Sequence, residues 1–245
     1  MAAGQIVDTE TAQEFMAQAL AQASRPELGA IVAELERKGA GFQARLAPEA
    51  LPQLERADLR ALLRSVFATR RQADALLDAI GGAELRGAIQ RLLYDPAPVQ
   101  ARFQGFVDAL SGYCGDVRLA RRPRPGSPQP GELPEHIWCD LAAELLHFTR
   151  PDDRWLWTRW IWDPRAGTGA LPLVVEDRYD LQGRDAGETY LKVGVAAAFV
   201  RATGEAADFA RFSLHRSPFG IDVFLACVYA VYLYTTLRLR RSCRS

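Results

Sequence analysis

Apolar residues recur every three or four positions through most of residues 8–112, with charged residues between them. This is the spacing of one face of an α-helix, so each repeat predicts an amphipathic helix. The predicted apolar faces begin, in chain order, at Phe15, Leu28, Leu59, Leu85 and Val99. The repeat over residues 59–80 is unbroken and predicts a single helix of about six turns. Because each helix must bury its apolar face against another, residues 1–112 predict an N-terminal helical bundle.

Short polar residues and glycines predict where the first two helices begin and end. Asp8 or Thr9 is expected to cap the first helix, since both side chains can accept a hydrogen bond from a free backbone N–H. Gly39 and Gly41 predict the end of the second helix, because glycine stabilises a helix poorly.

The helical pattern stops at residues 113–133, which are rich in proline and arginine. Five prolines lie between residues 123 and 134. Proline lacks a backbone N–H and disrupts both helices and central strands, so this stretch predicts a long surface loop or linker. It separates the bundle from a C-terminal part, residues 134–245.

The C-terminal part is also predicted to be rich in α-helix. Helical spacing returns over residues 135–149 and 186–203, and an apolar helix is expected from about 218 to 239. Residues 171–175 are the best strand candidate, although Pro172 interrupts them. The predicted fold class is therefore mainly α, with at most a short β-hairpin.

The apolar stretch 223–237 contains no charged residue and is followed by Arg238, which allows either a membrane anchor or a core helix. Fifteen helical residues span about 22 Å, whereas the hydrocarbon core of a bilayer is about 30 Å thick. Asp222, immediately before the stretch, would place a carboxylate in lipid if the span began earlier. The pattern therefore favours a core helix, and an anchor is the alternative.

Composition narrows the choice of partner and compartment. The chain of 245 residues carries 30 Lys+Arg and 30 Asp+Glu, so no net charge draws nucleic acid or anionic lipid to it. The first eight residues lack the basic and apolar segments of a signal peptide, and no cysteines form a Cys-x-x-Cys pair, so we expect a cytoplasmic protein with reduced thiols. Lys38 and Lys192 are the only lysines. The preference for arginine and alanine is typical of GC-rich bacterial genomes, so it says little about phosphate binding.

All five tryptophans lie between residues 138 and 162, and four of them fall in a segment interleaved with arginine. The candidate binding residues are Arg154, Trp155, Trp157, Arg159, Trp160, Trp162 and Asp163. Tryptophan and arginine dominate binding hot spots, so the segment predicts a surface for a protein partner. The alternative is a structural lid where two halves of the protein meet.

A second constellation lies on the predicted helix 135–149. Asp140, Glu144 and His147 are spaced i, i+4 and i+7, so their side chains share one helix face. Glu-x-x-His pairs bind metal in helical di-metal proteins, but those sites use two such motifs and further glutamates. A polar face, either solvated or between helices, is the favoured interpretation, and a weak metal site is the alternative.

Residues 163–170 contain Gly167 and Gly169, whose backbone amides could meet an anion. The segment lacks the Lys-Ser/Thr ending of a phosphate-binding loop, so a plain turn is favoured.

These observations lead to three functional hypotheses. The first is a non-catalytic cytoplasmic accessory protein that binds a protein partner through the Trp/Arg-rich segment. The alternatives are a nucleic-acid-associated protein that uses the same rings and the arginine clusters at 118–124 and 238–244, and a metal-dependent enzyme that uses Asp140, Glu144 and His147. No motif for a cofactor is present, and none is expected.

Overall fold

The computed structural model describes residues 7–113, 136–206 and 217–242. Within these ranges the chain forms α-helices and two short 3-10 helices, without a named strand, which confirms the mainly α fold class. The α-helices are α1 (Thr9–Leu20), α2 (Arg25–Leu46), α3 (Arg56–Ser65), α4 (Ala73–Ile80), α5 (Gly82–Tyr94), α6 (Val99–Ser111), α7 (His136–Thr149), α8 (Ala186–Ala206) and α9 (Gly220–Ser242). The 3-10 helices are Leu51–Gln53 and Leu171–Leu173.

The chain divides into two compact units, each built from separate stretches of sequence. The first unit consists of Met1–Gly39, Pro151–Gly183 and Lys192–Ser245, and the second consists of Ala40–Arg150 and Arg184–Leu191. Helices α2 and α8 each contribute residues to both units. The predicted division into 1–112, 113–133 and 134–245 stays a prediction, because residues 114–135 lie outside the described ranges.

The second unit is a helical bundle in which α5 packs against α4, α6 and α7. Helix α5 buries one apolar face, formed by Leu85, Ala88, Ile89, Leu92 and Leu93. The side chain of Arg102 donates from Nη1 to the carbonyl oxygens of Leu92 (2.6 Å) and Leu93 (2.9 Å). These carbonyls lie in the last turn of α5 and have no intrahelical donor, so Arg102 stabilises the end of the helix.

Helix α2 continues through Gly39 and Gly41 to Leu46, so the predicted end at these glycines is wrong. Phe42 and Leu46 are both buried, and the ring centres of Phe42 and Phe148 are 5.3 Å apart. A glycine costs a helix about 1 kcal/mol, whereas burying one large apolar side chain contributes about 1.5–3 kcal/mol. Burial of the next turn therefore outweighs the two glycines.

The predicted six-turn helix over residues 59–80 is also wrong, because α3 ends at Ser65 and α4 begins at Ala73. The hydroxyl of Thr69 donates to the carbonyl oxygen of Leu63 at 2.6 Å and so occupies an acceptor that a continuous helix would use. Phe67, predicted to be part of the apolar face, is 74% exposed, with the guanidinium of Arg70 4.1 Å from the centre of its ring.

In the first unit, α1 packs along α9. Asp8 caps α1 as predicted: its carboxylate accepts hydrogen bonds from the backbone N–H (3.1 Å) and the hydroxyl (2.6 Å) of Thr11. The backbone N–H of Asp8 donates to the carbonyl oxygen of Val174 at 3.1 Å, and Val7 forms an isolated antiparallel bridge with Val175. These contacts fix the start of α1.

The predicted strand over residues 171–175 is wrong. Leu171–Leu173 form a 3-10 helix with Pro172 in its first turn, a position where the missing N–H of proline costs nothing. Within residues 171–175, Val175 alone takes part in a β-bridge, and that bridge is isolated.

The prediction that the apolar helix lies in the core holds for only part of α9. The side chains from Phe219 to Leu225 are buried, but between residues 226 and 236 only Val228 is. The other side chains of that stretch are half-exposed or exposed. Among the described helices, none has the length and apolar character needed to cross a membrane.

Candidate functional site

The Trp/Arg-rich segment belongs to the first unit. Residues 154–158 have no regular secondary structure, and residues 159–161 form a turn. The backbone N–H groups of Ile161 and Trp162 both donate to the carbonyl oxygen of Thr158, at 2.9 and 3.1 Å. This compact turn directs neighbouring indoles in different directions. Some rings therefore enter the core, whereas others reach the surface.

Two tryptophans are structural. Trp138 on α7 is fully buried in the second unit. Trp157 is only 5% exposed, and its indole Nε1 donates to the carbonyl oxygen of Trp162 at 3.0 Å. Because this hydrogen bond closes the turn, Trp157 holds the segment together and is not available to a partner.

Three tryptophans keep part of their rings at the surface. Trp155 and Trp162 are half-buried, and Trp155 lies against Gly194 of α8. Trp160 is half-buried as well, and its ring centre is 6.2 Å from that of Tyr229 on α9. The aromatic contacts continue to Tyr232, 6.4 Å from Tyr229.

We call Trp160, Tyr229 and Tyr232 the aromatic surface. All three residues are half-buried, and Arg159, next to Trp160 in sequence, is exposed. The sequence pattern missed both tyrosines, which we expected inside a core helix. Their spacing of three residues, which puts them on one side of α9, was the signal that could have found them.

The remaining predicted binding residues have local structural roles. Arg154 is mostly buried and pairs with the carboxylate of Asp153 at 3.2 Å. Asp163 accepts hydrogen bonds from the backbone N–H groups of Arg165 (3.0 Å) and Ala166 (3.4 Å) through its side chain. Asp163 therefore organises the turn that follows the aromatic segment.

Residues 163–170, which contain Gly167 and Gly169, form the turn that Asp163 organises. The N–H of Gly167 donates to the carbonyl oxygen of Asp163 at 2.8 Å, so this amide is already used within the turn. Gly169 has φ +149°, and a Cβ there would lie 2.3 Å from the carbonyl oxygen of Ile161. Glycine is therefore required at residue 169 for close backbone approach, and not for binding an anion.

The polar constellation on α7 lies in the second unit. Asp140 and Glu144 are buried and His147 is 0% exposed, so the three side chains are not the solvated polar face of a surface helix. The rings of His147 and Phe148 are arranged edge to face, with their centres 5.2 Å apart. Within the described ranges, no group of three or more His, Cys, Asp or Glu side chains is arranged to hold a metal ion. The metal-dependent enzyme remains an untested alternative.

The arginine cluster at 118–124 lies outside the described residues, and so do the side chains of 237–242. The nucleic-acid alternative, which uses both clusters, therefore stays a prediction.

Comparison of the chain with protein-family models, curated proteins and solved structures gave no match.

Proposed function

We propose that this protein is an interaction protein that binds a protein partner through the aromatic surface of its first unit. The observation that carries the proposal is the position of Trp160, which is only half-buried and whose ring centre lies 6.2 Å from that of Tyr229. Aromatic rings at such distances stabilise one another by about 0.5–1.5 kcal/mol, so Tyr229 helps to hold the ring of Trp160 in this position.

The residue types of this surface favour a protein partner. Tryptophan, tyrosine and arginine are the side chains most enriched at the energetic centres of protein interfaces. The ring of Trp160 is supported by Tyr229, and the exposed Arg159 lies next to it in the chain. Since the formal net charge of the chain is zero, such a surface would recognise its partner by shape and aromatic contact more than by long-range attraction.

The first experiment is site-specific photocrosslinking in cells of the source organism. Benzoylphenylalanine replaces Arg159 in one variant and Ile31, an exposed apolar residue of α2, in the control. We expect a discrete crosslinked protein from position 159 and none from position 31. Identical crosslinks from both positions, or none from position 159, would contradict the proposal.

The second experiment measures affinity for the partner identified in this way. Trp160→Ala is expected to weaken binding by about 30-fold or more, the loss typical of a hot-spot residue. Phe67→Ala, which removes an exposed ring of the second unit, is the matched control and should bind normally. Both variants must keep the helical circular dichroism of the unsubstituted protein. Unchanged affinity of Trp160→Ala would exclude this surface as the binding site.

A further inference from the structure

The second half of α9 is an apolar stretch that the rest of the first unit covers only in part. Ala226, Ala230, Leu233 and Tyr234 are exposed, and we call them the exposed face of α9. Leu233 is 40% exposed and Tyr234 is 51% exposed. Because Ala230 lies four positions after Ala226, and three or four positions before Leu233 and Tyr234, these side chains lie along one side of the helix.

An apolar groove of about 420 Å³ borders this face, between α1 and α9. Its lining residues are mainly small or apolar: Gln18, Ala19, Ala21, Gln22, Ala23, Cys227, Ala230, Val231 and Tyr234. Burial raises the pKa of the Cys227 thiol, which agrees with an apolar environment on this side of the helix. The exposed face and the groove together therefore present more apolar area than the exposed side chains alone.

Basic residues follow this apolar surface along the same helix. After Asp222 the sequence contains no acidic residue, and Arg238, Arg240 and Arg241 fall in the last turns of α9, before its end at Ser242. One helical turn, about 6 Å, separates Tyr234 from Arg238 along the axis. The chain as a whole is neutral, so this end of α9 is a local concentration of positive charge.

We propose that the exposed face of α9 binds the surface of an anionic lipid membrane. Leu233 and Tyr234 would enter the headgroup region, where an apolar body with a polar tip is favoured, and the positive charge that the sequence places after them would attract the anionic surface. A helix that lies in the interface does not need the length of a spanning helix, so the proposal agrees with the absence of a candidate span among the described helices.

The charge and the size of the surface favour lipid over a second copy of the chain. Residues 226–236 extend about 16 Å along the helix axis, which is short for the roughly 800 Å² that each partner of a stable dimer buries. Parallel pairing of two α9 helices would also bring two sets of arginines together. An anionic surface instead complements their charge.

The test is flotation of the full chain with vesicles at about 0.1 M salt. One set of vesicles is phosphatidylcholine alone, and the other contains about 30% phosphatidylglycerol. We expect at least tenfold stronger binding to the anionic vesicles, and weakening as salt rises, because salt screens the attraction to the surface. Equal binding to both sets, or no binding to either, would overturn the proposal.

Two variants test the two parts of the surface. Leu233→Ser/Tyr234→Ser removes the apolar contact, and Arg238→Gln/Arg240→Gln/Arg241→Gln removes the charge. Each is expected to weaken vesicle binding at least tenfold, and the arginine variant by on the order of 100-fold. Phe67→Ser/Arg70→Gln/Arg71→Gln, which removes an exposed ring and two arginines of the second unit, is the matched control and should bind as the unsubstituted protein does.

Other outcomes would assign the surface differently. A dimer in sedimentation velocity that Leu233→Ser/Tyr234→Ser dissociates, together with no vesicle binding, would overturn the proposal in favour of a second copy. Trp160→Ala should bind vesicles normally, since Trp160 is not part of the exposed face. Equal loss in Trp160→Ala would assign the vesicle binding to the aromatic surface instead. The lipid proposal and the protein-partner proposal can therefore fail separately.

Discussion

The indole of Trp155 lies so close to Gly194 of α8 that a Cβ added at this glycine would be 2.8 Å from Cδ1 of Trp155. Gly194→Ala should therefore force the ring or the helix to move, at a typical cost of about 1–3 kcal/mol. The same substitution in an open helical position stabilises a protein by roughly 0.5–1 kcal/mol. Gly29→Ala on α2, with no atom within 4 Å of the added Cβ, is the control. Urea unfolding should show lower stability only for Gly194→Ala, and equal effects of the two would contradict this packing.

Trp157 and Trp160 are expected to respond differently to replacement by phenylalanine. Trp157→Phe loses the hydrogen bond from Nε1 to the carbonyl oxygen of Trp162 and part of a buried ring, so it should cost about 1–3 kcal/mol in free energy of unfolding. Trp160→Phe keeps an aromatic ring at a half-exposed position and should change stability by less than about 0.5 kcal/mol. Denaturant unfolding of both variants measures the difference. A larger loss of stability for Trp160→Phe than for Trp157→Phe would contradict the structural role assigned to Trp157.

The cap of α1 should make stability depend on pH in a predictable direction. Hydrogen bonds from the hydroxyl and the backbone N–H of Thr11 hold the pKa of Asp8 below its ordinary value. Stabilisation by the ionised cap is therefore present above the unfolded-state pKa, about 3.9, and is lost as pH falls through the lower folded-state pKa.

Asp8→Ala should thus cost about 1 kcal/mol at pH 7, with a smaller difference from the unsubstituted protein below about pH 4. Asp8→Asn is the control, because asparagine caps helices without a charge and should keep most of the stability at pH 7. Urea unfolding at pH 7 and pH 3 measures both effects. A cost of Asp8→Ala that does not change between these pH values would argue against an ionised cap.

The turn between α3 and α4 depends on the buried hydroxyl of Thr69. Thr69→Val keeps the shape of the side chain but leaves the carbonyl oxygen of Leu63 without this donor, so we expect a loss of about 1–3 kcal/mol in free energy of unfolding. Thr69→Ser retains the hydroxyl and should lose less, since it removes only one methyl group. Thermal unfolding of the two variants compares them directly. If Thr69→Ser were the less stable variant, packing of the methyl group would outweigh the hydrogen bond.

Most helices of this protein could be predicted because their signals are local. The spacing of Leu85, Ile89 and Leu92 is that of a helix face, and Asp95 is followed by a proline, which cannot continue a helix, so α5 and its end at Tyr94 follow from local sequence. A cap at Asp8 or Thr9 was likewise predicted from the residue types alone, and the structure has it at Asp8. These features depend on neighbours within about four residues, which the sequence displays directly.

Where the predictions failed, a distant contact outweighed a local preference. Gly39 and Gly41 lie inside α2 because Phe42, directly after them, is buried against Phe148. Phe148 lies more than a hundred residues later in the chain. The apolar repeat over 59–80 correctly marked Leu63 and Leu76 as buried, but burial does not require that the helix between them be continuous.

For the candidate site, the sequence determined which rings and charges this protein has: the concentration of tryptophan before residue 163, and the apolar run of α9 followed by arginine. Only the tertiary structure decided that Trp157 is buried while the half-buried Trp160 contacts Tyr229, and that most side chains of α9 after Leu225 are only partly covered. The physical reason is that periodicity records which side chains are apolar along one element. Whether such a side chain is covered depends on the packing of elements far apart in the chain.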